Sequence, residues 1–448
     1  MRILKKIATC LALAGASIVT TAQNNDAANG QHQLLNMAPD KGEGKMNPDP
    51  RAAWFPRAGL GLFIHWGAIA GYGGGDLSWC MIANKSWPSD GTVTPNFYYG
   101  LMDKWNPKEW NPDALLKQAK AAGFQYAVFV TKHHDGYTMW PSKYGDLGTQ
   151  TKMNNRDFVR SFVDACRKYG LKVGLYYSPP DWWFDRLYRN WSSDKTVLDM
   201  NHEPLKTRPV KPADHDKKRV EMVASQVREL LTNYGKIDML FFDGGGGEIT
   251  NDEIRKIQPG IVINRRNKAP GDYGDSEGAL PGKRFTGWFE TNDPVWPDKR
   301  WSYSTSDIYN DASTVLGNLV KLRAWGGNYL ANIGPEGSGH IPAPATEAMK
   351  EMAAWMLHSK ESVIDVTGGN YPEASTVPVT ARGNNILYAF AMPAYQGYIK
   401  IETTGEPKKV TLLRTGQTLS FKREGGKIII SLPPQWRTRM PDAMKIVF

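Results

Sequence analysis

Asp243 ends the apolar run Ile237–Phe242 (IDMLFF) and precedes four glycines, Gly244 to Gly247. A carboxylate after a wholly apolar strand places a charge at the rim of a dry core, where its reactivity can be tuned. Asp238 opens the same run and falls at its other end, a structural position. Glu290, in Trp288-Phe289-Glu290-Thr291, is a second acid, and Glu277, in a Gly- and Asp-rich stretch, is a third. Two carboxylates around one substrate are the apparatus of glycoside hydrolysis: one attacks the anomeric carbon, the other protonates the leaving oxygen and then activates water. His65, His133 and His134 end apolar runs, as do Tyr176 and Tyr177; Trp66, Trp79, Trp182 and Trp301 lie in polar segments after them. Such residues hydrogen-bond hydroxyls and pack on C–H-rich ring faces. His133, His134 and Asp135 with Asp243 also have the residue types of a metal centre. Adjacent histidines on a strand point to opposite faces, which disfavours joint ligation. An Asp before glycines is equally a turn.

These residues need a frame that gathers strand ends. The runs Gly59–Gly67, Phe124–Thr131, Leu171–Ser178 and Ile237–Phe242 read as buried strands, and Gly260–Asn264, Phe285–Phe289 and Asn328–Ile333 as further ones. Amphipathic segments lie between them, at Trp110–Ala122, Phe158–Tyr169, Lys218–Tyr234, Ala312–Trp325 and Ala345–Lys360. Apolar strands alternating with helices indicate a parallel sheet covered on both faces. The span 49–365 predicts an α/β fold, a (β/α)8-like TIM barrel, whose functional residues follow the C-terminal ends of the strands. A doubly wound sheet is the alternative, weakened because no Gly-x-Gly-x-x-Gly follows the first strand. On this reading Glu290 follows a strand at Phe285–Phe289. From 366 to 448 short alternating strands take over, at Ile386–Phe390, Gly397–Ile401, Lys409–Leu413, Lys427–Ser431 and Met444–Val447. They predict a small C-terminal antiparallel β-sandwich that braces the barrel or binds carbohydrate.

The 448 residues exceed one ordinary core, and 41% hydrophobic with 22% charged is a globular composition. Arg2, Lys5 and Lys6, an apolar run to Val19 and a small-residue site ending at Ala22 read as a signal peptide over 1–22, too short to span a membrane. Export to the periplasm or medium is expected, followed by a flexible leader over 23–48. Cys80 and Cys166 remain, which is no disulfide framework. The net charge of +10 is spread along the chain. It hints weakly at acidic or sulfated glycans, and no basic block marks a nucleic-acid partner.

The motifs together resemble glycoside hydrolase family 29, the retaining α-L-fucosidases. The likeness lies in Gly61–Gly67 (GLFIHWG), Lys132–Tyr137 (KHHDGY) with Trp140 and Ser142, Gly174–Ser178, Asp181-Trp182 and Gly326–Pro335 (GGNYLANIGP). It spans about Trp54 to Val363. The resemblance implies a barrel followed by a sandwich, Asp243 as nucleophile, and a fucosylated oligosaccharide or polysaccharide as substrate. No cofactor or metal is implied. His65, His133 and His134 match the sugar-binding histidines, and Tyr177, before Tyr176, the strand-three tyrosine. Arg266, in Asn264-Arg265-Arg266, matches the family's arginine. Glu290 is similar to the family's Trp-Glu-Thr and is expected as acid/base, with Glu277 the alternative. Trp66, Trp79, Trp182 and Trp301 are expected around the sugar. Phe241 replaces a family tryptophan, and Asp76-Leu77-Ser78-Trp79 stands where Glu-Trp is usual. These departures leave open an α-L-galactosidase or related α-L-glycosidase. A metal-dependent hydrolase and a non-catalytic glycan-binding relative are the other classes.

Overall fold

Leu60–Ile64 (β1), Tyr126–Lys132 (β2), Lys172–Tyr177 (β3), Met239–Phe242 (β4), Val262–Ile263 (β5), Gly274–Glu277 (β6), Phe289–Trp296 (β7) and Asn328–Ile333 (β8) form one parallel sheet. They are seen in a computed structural model that describes residues 44–85, 93–281, 284–305 and 308–448. The strand order is β5-β4-β3-β2-β1-β8-β7-β6. A parallel bridge between Asn264 and Tyr273 joins the two outer strands and closes the (β/α)8-like barrel. β1, β2, β4 and β8 are buried along their whole length, as strands covered on both faces must be.

The helices between strands begin where the sequence supplies caps. Asn111 accepts from Ala114 N at the start of Pro112–Ala121, and Asp157 from Arg160 N at the start of Phe158–Lys168. Each satisfies a backbone donor that the helix leaves open. At the barrel floor Gly61 is required by its neighbour. A Cβ there would lie 2.2 Å from the Tyr126 ring, so only glycine admits that ring to the interior.

Two expectations need correction. The sixth strand is Gly274–Glu277, a polar stretch, and not Phe285–Phe289; the seventh starts at Phe289 and runs to Trp296. Glu290 therefore opens a strand. The expected signal peptide, 1–22, and most of the leader lie outside the described residues. The last leader residues are tied down: Lys45 N donates to Gly271 O (2.8 Å) and Asn47 Nδ2 to Ile261 O (3.0 Å).

After the barrel, Thr367–Gly368 (β9), Val379–Arg382 (β10), Ile386–Ala391 (β11), Ile399–Glu402 (β12), Lys409–Leu412 (β13), Phe421–Glu424 (β14), Lys427–Ile430 (β15) and Asp442–Val447 (β16) form two antiparallel sheets. Their orders are β13-β16-β11-β10-β9 and β12-β15-β14. Ile399, Ile401, Val410, Ile428 and Ile446 share a core between them. The sandwich rests on the barrel's flank: Trp355 Nε1 donates to Pro441 O (2.8 Å), and Lys445 meets Glu361 (2.9 Å). Cys80 and Cys166 are not disulfide-bonded. Among the described residues no helix is long and apolar enough to cross a membrane.

Candidate active site

The strand ends converge on a narrow cavity lined by His65, Trp79, His133, Tyr176, Asp243 and Glu277, with Phe63, Asp76, Phe241, Arg266, Asn292 and Trp301 completing its wall. Asp243 follows the last residue of β4. The glycines after it turn the chain away: Gly244 has φ +86, which only glycine adopts freely. A Cβ on Gly246 would lie 2.3 Å from Asn267 Oδ1.

Asp243 is held from two sides. Tyr176 O–H donates to its Oδ2 (2.7 Å) and Arg266 Nη1 to its Oδ1 (2.9 Å). Arg266 Nη2 meets Glu277 Oε2 at 2.8 Å, so one planar guanidinium joins two carboxylates in one wall. Asp275 fixes that guanidinium from below, accepting Arg266 Nε on Oδ2 (2.8 Å) and Arg265 Nε on Oδ1 (2.6 Å). Burial pushes the Asp275 carboxyl up, but the two arginines outweigh it and hold it below the usual range.

The histidines are positioned by neutral partners. Asn332 Nδ2 donates to Trp301 O (2.8 Å), which turns Asn332 Oδ1 toward His65 Nδ1 (2.7 Å). His65 Nδ1 then carries the proton and Nε2 is an acceptor. Ser78 Oγ accepts from Asp135 N (2.7 Å) and lies 2.6 Å from His133 Nδ1. Its hydroxyl proton points to His133 Nδ1, leaving His133 Nε2 as a donor. Burial lowers His65 to about 4 and His133 and His134 well below their ordinary value, so all three are neutral at pH 7.

His134 Nε2 lies 3.6 Å from Asp243 Oδ2. The chain leaves extended geometry after β2, so the two adjacent rings sit 4.2 Å apart instead of facing opposite sides. His133, His134 and Asp243 can offer ligand atoms all within 4.8 Å of one another, so they could hold a metal ion.

Five expected residues do not line the cavity: His134, which reaches Asp243 from beside it, and four that stand elsewhere. Glu290 is fully buried at the barrel floor, where Tyr126 O–H donates to its Oε2. It does not line the cavity. Burial raises it to about 8, the mark of a neutral acid at neutral pH. Tyr177 faces the helices and donates to Gln226 Oε1 (2.7 Å), because side chains alternate along β3 and Tyr176 takes the inward place. The same alternation sends Trp66 outward, stacked on Trp110 at 4.5 Å. Trp182 stacks on the far side of His134 (5.3 Å) and supports that ring from outside the cavity. Asp275, Asn292 and Ser78 were missed. A period-two reading of Gly274–Glu277 would have aligned Asp275 with Glu277; nothing local marks Ser78.

A closed parallel barrel with two carboxylates, buried neutral histidines and aromatic walls at its mouth is the architecture of a glycoside hydrolase. The family model of α-L-fucosidases matches residues 29–361, and the chain belongs to that family. It is similar to tissue α-L-fucosidase of Homo sapiens, 25% identical over 423 residues, covering 86% of this chain and 85% of that protein. The Bos taurus tissue enzyme is 26% identical over 351 residues, 70% of this chain and 69% of that protein. The solved structure of α-L-fucosidase isoenzyme 1 from Paenibacillus thiaminolyticus superposes with a TM-score of 0.73 at 27% identity, covering 89% of this chain and 98% of that one.

Proposed function

We propose that this protein is an exo-acting, retaining α-L-fucosidase in which Asp243 is the nucleophile and Glu277 the acid/base. The carrying observation is Arg266, whose guanidinium touches both carboxylates in one cavity. Asp243 attacks the anomeric carbon as the glycosidic C–O bond breaks, and Glu277 gives its proton to the leaving oxygen. Glu277 then takes a proton from water, which displaces Asp243 and releases the sugar with its configuration retained. His65 Nε2 and His133 Nε2 offer one acceptor and one donor to ring hydroxyls. The cavity's small size supports removal of a terminal residue, and the family supports a fucosylated glycan as substrate. The segment 1–22 supports export, which N-terminal sequencing of the secreted product would test by a start at Gln23.

The test is nitrophenol release from 4-nitrophenyl α-L-fucoside by wild type and Asp243→Ala, with and without EDTA. Activity that survives EDTA and collapses in the variant is expected. Loss in EDTA would favour the second reading, a metal-assisted hydrolase built on His133, His134 and Asp243. No turnover of the fucoside, with turnover of the α-L-galactoside, would move the substrate class.

A further inference from the structure

Behind Trp79 lies a second opening of about 520 Å³, lined by Trp79, Trp182, Arg189, Asn190, Ser192 and Asp194 among others. Trp79 is its common wall with the Asp243 cavity. Arg189 is the unusual group here. Its guanidinium lies 3.9 Å from the Trp182 ring and 4.5 Å from the Trp191 ring. The rings hold it flat but offer no hydrogen-bond acceptor. Nε is sealed from solvent, and among the described residues the side chain has no hydrogen-bond partner or ion pair. Burial draws Arg189 down to about 10, so it remains charged at neutral pH.

The nearby acids are already engaged. Asp194 Oδ1 accepts from Ser192 Oγ (2.8 Å) and Thr196 N (2.7 Å), and Asp185 Oδ1 meets His215 Nε2 (2.7 Å). A planar guanidinium fork with its donors unspent matches a carboxylate or a sulfate. The asparagine and serines beside it suit sugar hydroxyls.

We propose that the opening behind Trp79 is a second sugar subsite that takes an acidic sugar, with Arg189 binding its carboxylate or sulfate. The role as a sugar subsite rests on the glycosidase reading of the neighbouring cavity. The loops that form it follow β1 and β3, across the barrel from β6 and Glu277. A group bound there lies away from the side on which Glu277 meets the leaving oxygen. The subsite therefore takes a branch of the aglycone remote from the departing oxygen, and it fills independently of the Asp243 cavity.

The test is calorimetric titration of the full chain, saturated with L-fucose, with methyl β-D-glucuronide, methyl β-D-galactoside 6-sulfate and the uncharged methyl ester of the glucuronide. At least one charged probe is expected to bind with the fucose site full, the ester about tenfold more weakly or worse. The preferred probe tells carboxylate from sulfate. Arg189→Met should abolish the preference and Arg189→Lys should keep part of it, with matched melting curves showing that both variants fold. Equal binding of the ester, unchanged binding by Arg189→Met, competition with L-fucose, or no binding of either charged probe would overturn the proposal. Hydrolysis of 4-nitrophenyl α-L-fucoside by the wild type is scored separately, so failure here stays distinct from failure of the fucosidase reading.

Discussion

Glu277 stands one side-chain layer above Glu290 in the β6–β7 pair. Asp275 is opposite Glu290, and Glu277 is opposite Asn292, two residues further toward the mouth. Side chains two apart share a face and are separated by about 6–7 Å along a strand. That one layer divides a cavity carboxylate, touching the same arginine as Asp243, from a sealed acid bonded to Tyr126.

Glu277→Gln should therefore lose about 10²–10⁴ in kcat on a fucoside with a poor leaving group. The loss should shrink for nitrophenol, which departs with little protonation. Initial rates across a series of aryl fucosides check this. A flat deficit across leaving groups would remove Glu277 from the acid role.

Glu290→Gln should leave the rate near wild type and change the pH dependence of stability. Glu290 titrates at about 8 in the folded chain against 4.5 for the free side chain. The native state thus holds a proton that the unfolded state releases. Its contribution is full below 4.5 and is lost as pH rises toward 8. The variant carries no such loss, so its Tm relative to wild type should rise between pH 5 and pH 8. Thermal melts at both values decide it, and a constant difference would refute the assignment.

Asp275 is a positioning residue, acting through Arg266. Asp275→Asn keeps the shape but removes the charge that holds two guanidinium groups. A fall of about 10–100-fold in kcat, with a smaller change in KM, is expected. The pH–rate profile should also shift, because Arg266 contacts both Asp243 and Glu277; a purely structural role would leave its shape unchanged.

The two tyrosines of β3 should separate cleanly. Tyr176→Phe removes a hydrogen bond to Asp243 Oδ2 and should cost about tenfold in kcat/KM. Tyr177→Phe breaks a contact with Gln226 outside the barrel and should lower Tm while leaving kcat/KM near wild type. The reverse pattern would mean that the inward tyrosine was misassigned.

The buried histidines set the acid limit of stability. Their folded pKa values lie below the ordinary 6.5, with His65 at about 4. The unfolded chain binds protons that the native chain refuses, so stability is full above 6.5 and falls as pH drops toward 4. Urea midpoints across that window should decline, and His65→Gln should flatten part of the slope.

The local pattern of the chain determined the barrel and the strands after it. Continuous apolar runs such as Tyr126–Val130 and Met239–Phe242 are buried on both faces, and that demand is written residue by residue. It also placed Asp243, His65 and His133 at strand ends. Only the tertiary structure decided which carboxylate shares an arginine with Asp243. Gly274–Glu277 has no apolar signature, because its inward side chains face arginines and not a core. A strand start at Phe289 instead of Phe285 moves Glu290 from mouth to floor. The facing of Tyr176 and Tyr177, and the turn that brings His133 beside His134, depend likewise on register and on partners such as Ser78, 55 residues from His133. Burial is a local demand on residue type, but convergence on one arginine is a relation between distant segments that exists only once the barrel has closed.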